Sequence, residues 1–146
     1  MSEQTGPSPE DALLPHPAYS AMLICDMAIR EEGTGKVSLI GIFENVSATV
    51  FPARHPLLCV YCKLTDAQGD YAFRLELVRG EDLVVIGGGE FRVSVPGRRD
   101  IFDLIFQLGG LVFERPGAYE FQLSANGRHV AGKSFNVVQV PSPSGG

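Results

Sequence analysis

Residues 55–64, HPLLCVYCKL, hold the chain's only closely spaced thiols, Cys59 and Cys62, with His55 just upstream. Cys-x-x-Cys is the spacing of half a zinc site or of a dithiol redox couple. A tetrahedral zinc with bonds near 2.3 Å needs its sulfurs within about 4 Å of each other. If the segment is a strand, residues three apart point to opposite faces, with Cα atoms about 10 Å apart. A chelating pair therefore needs a turn between its cysteines, and Val60 and Tyr61 are strand formers. A redox pair sits at a helix N-terminus, and no helix is predicted here. Cys59 and Cys62 are read as small buried hydrophobes.

Other candidates have the right residue types without the right context. His16, His55 and His129 are scattered and share no short motif. The glycine run in IGGGEF, 86–91, lacks the following helix whose N-terminus would help hold a phosphate, so a bulge or close sheet approach is expected. Ser20, Ser38, Ser47 and Ser94 lack a nucleophile-elbow setting. Arg98 and Arg99, beside Asp100, read as a solvated turn that could otherwise dock a carboxylate or phosphate. No catalytic, cofactor-binding or metal-ligating set is assigned.

The elements that would position any site are strands. YAFRLELV places Tyr71, Phe73, Leu75 and Leu77 on one face and Arg74 and Glu76 on the other. EFRVSV and YEFQLSA repeat the pattern through Phe91, Val93 and Val95, then Tyr119, Phe121, Leu123 and Ala125. This period of two marks half-buried antiparallel strands. Asn126-Gly127 predicts a type I′ hairpin, and DAQGD, RGED, Pro96-Gly97 and Pro116-Gly117 mark further turns. Strands at intervals of about 8 to 12 residues predict an all-β, two-sheet antiparallel sandwich of immunoglobulin-like type. PGAYEF has the form of a sandwich corner, with the Tyr119 phenol bonded back near the preceding turn and Phe121 in the core. Without tryptophan or a sheet-bridging cysteine pair, a true immunoglobulin domain is not expected.

The 146 residues predict one domain at 19–140, a flexible Pro/Ser/acid-rich leader at 1–18 and a tail at 141–146. Leu13 and Leu14 are the leader residues expected to rest on the domain. Net charge is −5, and −2 once Glu3, Glu10 and Asp11 are set aside, which disfavours nucleic acid as a partner. No signal peptide or membrane span is read, and three cysteines make no disulfide framework, so the cytoplasm is the expected location. The sequon Asn45-Val46-Ser47 is accordingly read as chance.

Residues 101–113 carry too many large apolar side chains for one strand face. Either both faces are covered within the domain or one covers a partner. KVSLIGI, 36–42, is apolar on both faces, as a central strand would be, and Gly41 suggests a bulge or tight crossing. Pro52 and Pro56 are expected to interrupt pairing. Asp26, if buried, needs a partner such as Lys36.

The opening of the domain, with Cys25-Asp26 ending a strand and Gly35, Lys36, Leu39 and Gly41 in a following hairpin, resembles an uncharacterised bacterial family of small β-sandwich domains. The Pro-Gly-x-Tyr corner and terminal hairpin agree. The resemblance implies a fold and supplies no catalytic residues. The expectation for function is a non-catalytic interaction or accessory module with a protein partner or a second copy, and no membrane partner. A small-ligand or carbohydrate-like binding domain and an enzyme with a site assembled in space are the alternatives.

Overall fold

The computed structural model describes residues 14–99 and 101–142, with the side chains of 97–99 left aside. Among the described residues nine strands run in chain order: β1 (Ala18–Arg30), β2 (Val37–Ile42), β3 (Asn45–Ala48), β4 (Ala53–Thr65), β5 (Ala67–Arg79), β6 (Val85–Arg99), β7 (Phe102–Phe113), β8 (Gly117–Ala125) and β9 (Arg128–Gln139). They form two sheets, one four-stranded in the order β2-β1-β4-β7 and one five-stranded in the order β3-β9-β8-β5-β6. All pairings are antiparallel except β3 with β9. The five-stranded sheet curls into a half-barrel.

The core lies between the sheets and is built from the alternating residues. Tyr71, Phe73, Leu75 and Leu77 of β5 and Tyr119, Phe121 and Leu123 of β8 face Leu58, Val60 and Leu64 of β4 and Leu104, Phe106 and Leu108 of β7. Each such aliphatic or phenylalanine side chain contributes about 1.5–3 kcal/mol by leaving water. At one end Phe113, Tyr119, Phe121 and Phe135 form an aromatic cluster with centroid spacings of 5.1–6.0 Å. The Tyr119 hydroxyl donates to the Arg115 carbonyl at 2.7 Å, which is the expected corner bond.

Turn chemistry follows the sequence where local sterics decide it. Asn126 and Gly127 both have positive φ, and the Asn126 side-chain oxygen accepts from the Ala72 amide at 2.8 Å. Between β4 and β5 the chain changes sheets at Asp66, whose φ is 63°. Leu14 packs on the core, and the Pro15 carbonyl accepts from the Tyr71 hydroxyl at 2.6 Å. Residues 1–13 of the expected leader, Leu13 among them, and residues 143–146 of the expected tail lie outside the described residues.

Several expectations are corrected. All of KVSLIGI but Lys36 forms β2, which is an edge strand rather than a central one, and its Ile40 and Ile42 are exposed. Pro52 precedes β4, but Pro56 lies inside it without breaking the ladder to β7. That is tolerated because β1 pairs only from Cys59 onward, so one side of β4 is free at Pro56. Pro96-Gly97 and Arg98-Arg99 belong to β6 rather than to a turn. Asp26 is exposed and has no need of Lys36. In 101–113, Leu104, Phe106, Leu108, Leu111 and Phe113 turn into the core, while Ile101 and Val112 are exposed.

Candidate functional site

The outer face of the four-stranded sheet is where the fold departs from simple alternation. Antiparallel rungs set Leu23 beside Tyr61 and Ile105, Cys25 beside Cys59 and Gln107, and Ala21 beside Lys63 and Asp103. Cys25, Cys59 and Tyr61 are buried although they point away from the core between the sheets. Something must cover them, and it is the hairpin of β1 and β2.

Arg30 is nine residues beyond Ala21, roughly 30 Å along a straight strand. Yet its guanidinium donates to the Asp103 carbonyl at 3.3 Å and lies 3.8 Å from the Asp103 carboxylate. The hairpin has therefore turned back across the sheet. The bend falls at the rung between Cys25/Ile42 and Met27/Ile40, where Asp26 stands opposite Gly41. Gly41 has φ 71°, a backbone conformation that favours glycine, and a β-carbon there would have to push the exposed Asp26 carboxylate aside. The Cys25 thiol donates to the Met27 carbonyl at 3.3 Å, and the Cys59 sulfur lies 4.0 Å from the Asp26 carbonyl. The thiols thus partner carbonyls at the bend.

Beyond the bend the hairpin has two unlike faces. Ala28, Leu39 and Val37 are half-buried and share one face with Arg30, toward the sheet. Met27, Ile29, Ser38 and Ile40 share the other and are exposed, with Met27 at 48% and Ile40 at 51%. Ile42, on the other side of the bend, is also exposed, at 53%.

Between hairpin and sheet lies a polar cleft of about 400 Å³ lined by Thr34, Gly35, Lys36, Val37, Tyr61, Lys63 and Asp103. The Tyr61 hydroxyl donates a hydrogen bond to the Asp103 carboxylate. Burial, then that hydrogen bond and the charge of Asp103, hold the Tyr61 phenol well above its ordinary value, so it is a neutral donor.

The Cys-x-x-Cys pair does not assemble a site. Cys62 faces the core and is pushed up to about 12 by burial, while Cys59 lies on the opposite face. Burial, with the neighbouring Cys59 second, also raises Cys25. Thiols held protonated are poor nucleophiles and poor metal ligands. The thiol actually adjacent to Cys59 is Cys25, directly across the β1–β4 rung. His55 packs near Phe43, and the His16 ring lies 2.7 Å from the His129 carbonyl; no group of three or more His, Cys, Asp and Glu side chains among the described residues is placed to hold a metal ion. The glycine run lies in β6 and allows close approach of Phe106, Leu108 and Leu111. The cleft residues escaped sequence reasoning because Tyr61 and Asp103 are 42 positions apart. Only the β4–β7 register joins them.

Residues 20–138 match the model of a family of unknown function, DUF6941. No curated protein matches the chain.

Proposed function

The chain belongs to that family of unknown function, and we propose that it is a non-catalytic interaction module that associates with a second copy of itself along the open edge of β2. The carrying observation is that β2 is an edge strand whose residues 37–43 include no charge, while Met27, Ile29, Ile40 and Ile42 stand exposed on and beside it. Exposed edges are ordinarily blunted by charge, proline, bulges or brevity. The other edges carry such devices: β3 has four residues, β6 contains Arg92 and Pro96, and β7 contains Asp103.

The Glu31 amide donates to the Lys36 carbonyl, so alternation turns the N–H and C=O groups of Val37 and Leu39 toward the open edge. Two such edges related by a twofold axis are self-complementary and meet without like-charge repulsion. An immunoglobulin-like arrangement accompanies this reading. The order β3-β9-β8-β5-β6 with a parallel first pair, the β1-β4-β7 set opposite it and the Tyr119 corner support it. A reducing cytoplasm suits three buried free thiols. No helix among the described residues is long and apolar enough to cross a membrane.

Light scattering of the full chain across micromolar concentrations tests the proposal, with Ile40→Lys as the variant. Ile40 is exposed, so the substitution should change monomer stability by less than about 0.5 kcal/mol while abolishing the dimer. A wild-type chain that stays monomeric at tens of micromolar, or a dimer indifferent to Ile40→Lys, would sink the proposal.

A further inference from the structure

The cleft beneath the hairpin carries an excess of positive charge on a molecule whose net charge is −5. Lys63 stands directly opposite Asp103 on the β4–β7 rung, where an ion pair would be expected. The carboxylate instead turns to the Tyr61 hydroxyl and the Arg30 guanidinium. Among the described residues neither the Lys63 nor the Lys36 ammonium has an ion-pair partner. Both line the cleft, and Lys36 is brought there by the backward fold of the hairpin. Glu31 and Glu32, in the turn of the same hairpin, do not line it.

We propose that this cleft binds a phosphate group, with Lys36 and Lys63 as its counter-charges and Thr34 as a neutral donor. The arrangement suits a dianion. Two lysines from separate elements line one space, and the one carboxylate in the wall is already engaged by its own partners, Tyr61 and Arg30. The Thr34 side-chain oxygen accepts from the Lys36 amide at 3.2 Å, which leaves its O–H free to donate. The lining is mostly polar, so a hydrophilic phosphate monoester fits better than an apolar acid. Asp103 and Tyr61 act as positioning residues that hold the hairpin over the site. The proposal stands apart from edge pairing, since the cleft is on the hairpin's inner side.

The test is amide chemical-shift titration of the full chain with inorganic phosphate, and with acetate at matched ionic strength. Saturable shifts at Thr34–Val37 and around Lys63 are expected for phosphate, and much weaker ones for acetate. The Lys36→Ala/Lys63→Ala double variant should weaken phosphate binding by roughly tenfold or more, equivalent to about 1.4 kcal/mol. Its melting temperature should match the wild type, because neither lysine holds the fold. Identical titration curves for the two proteins, or acetate binding as tightly as phosphate, would overturn the proposal.

Discussion

The two sheets meet water by opposite means. The outer face of the five-stranded sheet follows the period of two to its conclusion. Arg74 of β5 pairs with Glu90 at 3.2 Å, and Gln122 of β8 donates to Glu120 at 2.7 Å; the alternate residues of β5 and β8 fill the core. The outer face of the four-stranded sheet presents cysteine, leucine, tyrosine and isoleucine, and the chain covers it with its own hairpin. Alternation in a sequence thus states which residues share a side. It does not state whether that side is wet, because a second layer can be laid over it.

Matched substitutions break or sharpen this contrast. The largest effect is expected from Cys59→Asp, which places an uncompensated carboxylate beneath the hairpin and should cost about 3–5 kcal/mol in denaturant unfolding. Ser134→Lys on the solvated sheet, beside Glu120, should stay within about 0.5 kcal/mol. Equal costs at the two positions would show that the faces do not differ. Tyr61→Phe comes next, since it strips a charged hydrogen-bond acceptor of its donor and should lose about 2 kcal/mol.

That loss carries a pH signature. The folded Tyr61 pKa lies above the ordinary value of 10, so the phenol stays protonated in the folded chain while the unfolded chain ionises. Its contribution is complete below pH 10 and is lost as pH rises beyond it. The gap between wild type and Tyr61→Phe should therefore narrow in alkaline melts. A gap that widens would reject the assignment. A small effect is also expected for Arg74→Ala, which breaks an exposed pair on the solvated face, at under about 1 kcal/mol.

Much of the fold was legible because it rests on local rules. Tyr71–Leu77 and Tyr119–Ala125 alternate as read, Asn126-Gly127 adopts positive φ at both positions, and the Tyr119 phenol makes its corner bond. Cys59 and Cys62 do part to opposite faces, which follows from strand geometry alone. What escaped was set by layers and register. KVSLIGI is apolar on both sides because one side presses on the sheet and the other is exposed, and that pattern mimics a buried central strand. Glycine at 41 was recognisable as a special position, but not as the point where a hairpin doubles back. Cys25 beside Cys59, and Tyr61 beside Asp103, are neighbours only once strand order is known.

The backward fold at Asp26 and Gly41 also constrains how this sequence can vary. The hairpin and the residues beneath it form one unit of substitution. A shorter β1–β2 arm would leave Leu23, Cys25, Cys59, Tyr61 and Ile105 facing water. Polar residues would then have to enter at those positions together, across three strands that are far apart in the chain. Lengths of the arm and polarities of this five-residue footprint should covary, while the solvated face of the other sheet remains free to drift.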